Sequence, residues 1–405
     1  MKIIILVIDS LGAGEMADVG MVRKQDHGAN TLKHVTEFAT DINFPNLESL
    51  GAGYIVSSNN LRKPVRLIGS YGSSNLAHMG ADTYQGHQEI IGSKPRPAIA
   101  KPFKEYIDIV RTELLKAGHI VTIPDPLHPF LLVDGLVTVA DNIEADVKLN
   151  YNVTAPLDNI SFEKELEIGA IVRNHVQVGR VIVLGGERIS IQGILDAAEI
   201  IAPDIVGINC PKSGVYQKGY MVRHLGYGIT PETQVTSILK KVGYSVTLIG
   251  KAADIIDCNG AVYQPEIDTE AVLQKLLKAM ATPDDGLIMA NVQETDLAGH
   301  SEDVRRYADK LKIVDRYLAS VFQTMGPRDV LFVTGDHGND PMIGHAHHTR
   351  EKAVLFVYGK NLPAVSLGER STLSDIGATV AEIFGVAPPE YGTSFWPMFR
   401  KIACI

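Results

Sequence analysis

Six apolar residues in a row, Ile3 to Ile8, open the chain and stop abruptly at Asp9. Similar short, β-branched-rich runs recur at Ser245–Ile249, Gly286–Asn291, Val330–Thr334 and Ala353–Tyr358, each followed by polar or glycine-rich residues. Apolar runs of this length, without clean apolar–polar alternation, suit strands covered on both faces, so they predict a mostly parallel sheet. Between them the period changes to that of helices. Within Ser301–Met325, residues Val304, Tyr307, Leu311, Val314, Leu318 and Val321 recur at spacings of three and four, the apolar face of a long helix. A shorter helix is expected over Thr233–Val242, with Thr230 as its N-cap, Pro231-Glu232 at its opening and Gly243 as its stop. Strands alternating with helices at both ends of the chain give an α/β class, a sheet flanked by helices.

The middle of the chain has a different texture. From about Lys101 to Tyr220, short Val-, Ile- and Gly-rich runs such as Gly179–Gly185 alternate with expected helices at Phe162–Gln177 and Gln192–Ile201. This pattern reads as an inserted α+β cap over 100–221, interrupting a core built from 1–99 and 222–405. Pro95, Pro97 and Pro102 mark the way in, and Lys212–Tyr220 the way out.

Composition narrows the function. Lys and Arg number 38 against 47 Asp and Glu, a net charge of −9, which argues against a surface built to hold nucleic-acid phosphates. The three cysteines, Cys210, Cys258 and Cys404, are far apart and odd in number, as expected of reduced thiols in a cytosolic protein and not of a cysteine-rich zinc module. The opening apolar run is too short for a signal peptide, and no run reaches the ~18–20 residues that cross a bilayer. A soluble, cytoplasmic enzyme with no membrane and no obligate protein partner is the expectation.

In an open α/β sheet, ligands bind beyond the carboxyl ends of the strands. The polar segments there concentrate hard-metal ligands: Val7-Ile8-Asp9-Ser10, Gly80-Ala81-Asp82-Thr83, Asp296-Leu297-Ala298-Gly299-His300 and Gly335-Asp336-His337-Gly338-Asn339-Asp340, with His345, His347 and His348 close behind. Any one of these has an ordinary structural use, as a helix cap or a polar turn. Their recurrence at successive strand ends points to metal. Mixed carboxylates and imidazoles suit Mn²⁺, Zn²⁺ or Fe²⁺, and this many ligands suggests two ions, the arrangement that serves phosphoryl transfer. Such a centre needs a hydroxyl. Thr83, in the polar loop after Asp82, is one candidate and Ser10, beside Asp9, the other; adjacent His345, His347 and His348 cannot all face one metal pair.

Taken together, VIDSLGAGE, GANTL, ADTYQGHQEIIGS, PETQVTSILKKVGYSVTLIGKAADI, DLAGH and TGDHGNDP with HHTRE resemble the phosphopentomutase family of the alkaline phosphatase superfamily, across roughly 1–95 and 225–405. The resemblance implies an alkaline-phosphatase-like α/β core with an inserted cap. It implies two Mn²⁺ ions, one held by Asp9, Asp336 and His337 and the other by Asp296, His300 and His348. Thr83 matches the family's phosphorylated threonine, and Lys251 in GKAADI a lysine that faces the substrate phosphate. Implied too is a small sugar phosphate as substrate, interconverted between (deoxy)ribose 1-phosphate and 5-phosphate, with a sugar bisphosphate as possible activator.

Two departures from the family pattern stand out. The family has one further residue between the aspartate and the Gly-His of Asp296–His300. In the cap, Gly179-Arg180-Val181-Ile182 continues as Val-Leu-Gly-Gly-Glu, and no arginine-rich stretch follows; Arg180, Arg188 and Arg223 are the basic residues on hand. Cap contacts select the sugar, so a mutase for another sugar phosphate, or a metal-dependent phosphatase or phosphodiesterase, is the alternative. A closed cap that excludes water would separate mutase from phosphatase.

Overall fold

The computed structural model describes residues 1–144 and 147–400, and it divides into two compact units, Met1–Pro95 with Thr230 onward, and Arg96–Ile229. The second join lies beyond the expected 221/222. A long strand, Lys218–Gly226, pairs antiparallel with Arg180–Glu187 and carries the chain on within the second unit.

In the first unit a nine-stranded sheet runs in the order Val262–Gln264, Ser245–Gly250, Gly286–Val292, Lys2–Ile8, Val330–Thr334, Glu351–Tyr358, Ser70–Ser74 and Ser366–Arg370, with Gly12–Glu15 pairing onto Glu351–Tyr358. The first five of these are mutually parallel, and Glu351–Tyr358 runs against its neighbours. Every residue of Lys2–Ile8 is buried, because successive side chains point to opposite faces and both faces are covered. Ile4, Leu6 and Ile8 pack with the helices Thr31–Phe38, Pro45–Leu50, Thr269–Met280 and Val304–Thr324. Ile3, Ile5 and Val7 pack with Val235–Lys241 and Ser374–Phe384 on the other side. Each such side chain taken fully out of water is worth about 1.5–3 kcal/mol, which fixes the strand's register centrally in the sheet.

Three expectations shift locally. The long helix begins at Val304, capped by Asp303 on Arg306 N, because Glu302 adopts a left-handed backbone (φ 50°) that ends the preceding helix, Glu294–His300. Thr230 makes no side-chain cap; Pro231–Thr233 is a single 3-10 turn, and the helix proper is Val235–Lys241, since Gln234 is extended and its amide turns inward to Gln88 and Ser93. The expected helix at Gln192–Ile201 is a short helix, Ile191–Asp196, followed by a strand, Ala198–Ala202, whose Ile200 and Ile201 suit the edge of a sheet.

The second unit carries an eight-stranded mixed sheet. At its centre lies Asn150–Pro156, packed beneath the helix Phe162–His175. Cys210 and Cys258 are buried free thiols; Cys404 lies outside the described residues. Among the described residues, no helix is long and apolar enough to cross a membrane.

Candidate metal centre

Strand ends of the first unit deliver the site. Lys2–Ile8 ends at Asp9, Val330–Thr334 leads to Asp336 and His337, and Gly286–Val292 leads into the helix Glu294–His300. That helix places Asp296 and His300 four residues apart on one face, so His300 Nε2 stands 3.3 Å from Asp296 Oδ2. Gly299 lets this helix pack against the Asn339 side chain, from which a Cβ there would fall 2.5 Å.

Thr83 lies at the first turn of a helix, Thr83–Ile90, instead of in a loop, because Asp82 caps it by accepting a hydrogen bond from Gln85 N at 2.8 Å. The helix lies flush against the Asp336 backbone; Gly86 makes this possible, as a Cβ would come within 2.3 Å of the Asp336 carbonyl. The Thr83 hydroxyl thereby donates to Asp336 Oδ2 at 2.7 Å. Ser10 does not compete for this position. Its backbone is left-handed (φ 65°), its N–H donates to Asp336 Oδ1, and its hydroxyl faces that of Tyr307 at 3.1 Å.

Three imidazoles complete the cluster, and each has its Nδ1 against a backbone carbonyl: His300 on Ala346, His337 on Gly338 and His348 on Ala81, at 2.7–2.9 Å. A carbonyl only accepts, so each Nδ1 carries the hydrogen and each Nε2 presents a lone pair. Those lone pairs converge. His348 Nε2 lies 3.0 Å from His300 Nε2 and 3.3 Å from Asp296 Oδ1; His337 Nε2 lies 3.4 Å from Asp9 Oδ1 and 3.3 Å from Asp336 Oδ2. Asp9 Oδ1 and His337 Nε2 are buried with no hydrogen-bond partner among the described residues. Two donors each about 2.1 Å from one tetrahedral ion stand roughly 3.4 Å apart, so the spacing fits shared cations. Among the described residues, two groups of ligand atoms gather within 4.8 Å, Asp296 with His300 and His348, and Asp9 with Asp296 and His337. Asp296 belongs to both.

The electrostatics follow from this crowding. Burial pushes the Asp296 carboxyl up, but the His300 and His348 rings beside it, which in their protonated form would donate to it, and the charge of Lys251 outweigh burial and hold it well below the usual range. Asp336 is likewise driven down against burial, by His337, His87 and Lys251. Burial lowers His348, whereas the adjacent Asp296 carboxylate, which favours the protonated ring, raises His300. Lys251 sits deeper among the carboxylates than a purely substrate-facing lysine would: its ammonium is 2.8 Å from Asp9 Oδ2 and 3.7 Å from Asp296 Oδ2.

Of the neighbouring histidines, His345 is tied to buried Asp26 at 3.1 Å, and His347 donates its backbone N–H to His345. Asp26 also accepts from Arg350 N, and Arg23 donates to the His348 carbonyl. Arg350 braces the other side: its guanidinium grips Asp18 and the carbonyls of Leu76, His78 and Gly80, just ahead of Thr83. Glu89 holds the same segment by accepting from Ala77 N and His78 N. Residue types and spacing did not single out Asn291 or Asn339. Asn291 donates to Asp9 Oδ2 at 3.1 Å and Asn339 to Asp296 Oδ1 at 2.9 Å. The available signal for Asn291 is a lone amide inside the apolar strand Gly286–Val292, where a polar group needs a partner.

The metalloenzyme superfamily profile matches residues 1–388. A phosphopentomutase of Herpetosiphon aurantiacus is 31% identical, with 97% of this chain and 98% of that protein covered. One from Symbiobacterium thermophilum is 29% identical, covering 99% of each, and one from Deinococcus radiodurans 30%, covering 99% of this chain and all of the other. A solved phosphoglycerate mutase of Leishmania mexicana aligns over 97% of both chains at 13% identity, with a TM-score of 0.47. The chain belongs to the metalloenzyme superfamily and, within it, to the phosphopentomutase family, and so is an enzyme of the phosphomutase type of isomerase.

Proposed function

We propose that the chain interconverts the 1- and 5-phosphates of ribose or deoxyribose by passing a phosphoryl group through Thr83. The observation that carries this reading is the Thr83 hydroxyl, at the start of a helix and 2.7 Å from Asp336 Oδ2, beside the converging Nε2 atoms. Asp9, Asp336 and His337 would hold one divalent ion, and Asp296, His300 and His348 the other, with Mn²⁺ favoured by the mixed donor set. Two such ions would supply charge neutralisation on the transferring oxygens and favour the ionised form of the nucleophilic hydroxyl.

The chain's own groups do the rest. Asp336 fixes the rotamer of Thr83 through its hydrogen bond, and the positive end of the helix dipole favours the dianion that a phosphothreonine brings there. Lys251 adds a point charge beside the phosphoryl-binding face. Phosphothreonine gives its phosphoryl group to a sugar monophosphate, breaking the Thr83 Oγ–P bond as the sugar O–P bond forms. The bisphosphate turns over, and its other phosphate returns to Thr83. A sugar bisphosphate primes the enzyme by the same step.

The test measures isomer and free phosphate together over a panel of sugar 1-, 5- and 6-phosphates with Mn²⁺ and a bisphosphate. Intact mass should rise by about 80 Da, the mass of one added phosphoryl group, on Thr83 after the bisphosphate. Thr83→Ala should abolish transfer with metal content intact. Steady phosphate release without isomer, and no label on Thr83, would overturn the reading in favour of a phosphatase.

A further inference from the structure

Behind the cluster lies a hydrogen-bonded bridge that joins both ends of the candidate metal site to the nucleophile. His87 is fully buried, one helical turn after Thr83. Its Nδ1 is 2.9 Å from the Thr83 carbonyl and 3.2 Å from Asp336 Oδ2, while its Nε2 is 2.9 Å from Asn291 Nδ2. The other amide hydrogen of Asn291 reaches Asp9 Oδ2. Every direction in this chain is forced. A carbonyl and a carboxylate only accept, so Nδ1 is the donor; turning the Asn291 amide over would set its carbonyl against the Asp9 carboxylate, so its nitrogen donates to Nε2.

We propose that His87, oriented by Asn291, is a positioning residue for phosphoryl transfer. It holds Asp336 Oδ2, the acceptor of the Thr83 hydroxyl, at a fixed distance from Asp9 on the neighbouring strand. The inference rests on Thr83 being the nucleophile. Three features make the bridge specific. It spans four segments, the Thr83 helix, the Asp336 segment after Val330–Thr334, the Asp9 strand end and the Gly286–Val292 strand. Its two ends land on carboxylates of the candidate metal site. Its centre is a ring with no freedom to rotate without breaking a bond on one side.

Two near-isosteric variants separate the halves of the bridge. In His87→Asn the amide nitrogen takes the place of Nδ1 and keeps the donor toward Thr83 and Asp336. In His87→Gln the amide oxygen takes the place of Nε2, keeps the acceptor for Asn291 and loses that donor. With both holoenzymes containing metal, His87→Gln should lower kcat about 10- to 100-fold with KM within about twofold, the loss typical of groups that support ligands. His87→Asn should restore kcat to within about fivefold of the parent.

Asn291→Ala combined with His87→Gln should cost less than the product of the single losses, since both cut one chain. Metal content by elemental analysis and melting temperature without metal should be alike in the Asn and Gln variants. Equal kcat in the two variants would overturn the proposal, as would losses that track melting temperature. Thr83→Ala is assayed alongside. If it still transfers phosphate, the nucleophile assignment fails; if it is inert while His87→Gln runs at the parental rate, the positioning role alone fails.

Discussion

Asp336 in the first unit and Glu165 in the second are both fully buried acids, and their surroundings drive them in opposite directions. Asp336 receives hydrogen bonds from Ser10 N and the Thr83 hydroxyl and lies among His87, His337 and the Lys251 charge, so its carboxyl is held far below the usual range. Glu165, on the inner face of Phe162–His175, has no hydrogen-bond partner on either oxygen among the described residues, and burial pushes it up to about 8. Asp141 falls between them. Burial raises it to about 6 even though Phe103 N and Val206 N donate to it. Burial alone therefore says nothing about function. Where cations and donors converge from several strand ends, a buried carboxylate stays ionised and can ligate; where none does, it takes up a proton.

The comparison breaks most severely at Asp296, the carboxylate common to both groups of ligand atoms. Asp296→Ala is expected to leave at most one ion per chain by elemental analysis and to cut transfer by about 10³-fold or more, corresponding to several kcal/mol of lost charge stabilisation. Next comes removal of metal from the intact protein. Chelation should lower the melting temperature, and Mn²⁺ at about 100 times its Kd should restore about 2.7 kcal/mol, read by calorimetry.

Glu165 gives a smaller effect of predictable sign. Its carboxyl is raised in the folded chain, from 4.5 to about 8, so the folded state holds the extra proton between those values. Stability is therefore lost as pH rises from about 4.5 to 8, with no penalty below that window and the full penalty above it. Glu165→Gln should raise stability at pH 8 by about 1–3 kcal/mol, a gain that vanishes near pH 4. A flat difference between the two proteins across that range would remove the contrast between the units. The smallest change is expected at Asp141→Asn, within about 1 kcal/mol at pH 7, because an amide oxygen keeps one of the two backbone donors; denaturant titration checks it.

Much of the first unit was legible because its signals are local. Ile3–Ile8 has one use, and Asp336-His337 after a buried strand has few. The side chains that decide geometry were harder to read. Thr83 and Ser10 each follow an aspartate, and residue type cannot rank them; a left-handed backbone at Ser10, set by tertiary packing, turns its hydroxyl toward Tyr307. His345, His347 and His348 look interchangeable until Asp26, over 300 residues away in sequence, claims the first of them. The strand at Ala198–Ala202 exists because Ile205–Ile208 is there to pair with it, which no local helical period reveals.

The Arg350 guanidinium has a consequence for how the site comes apart. It joins the segment just after His348 to the carbonyls just before Thr83, two stretches some 270 residues apart in sequence. Local opening of either stretch would break the same set of bonds, so both should exchange their amide hydrogens as one cooperative unit. The proposed nucleophile and the proposed ligand would then be present together or absent together, leaving no half-assembled form in which one works without the other.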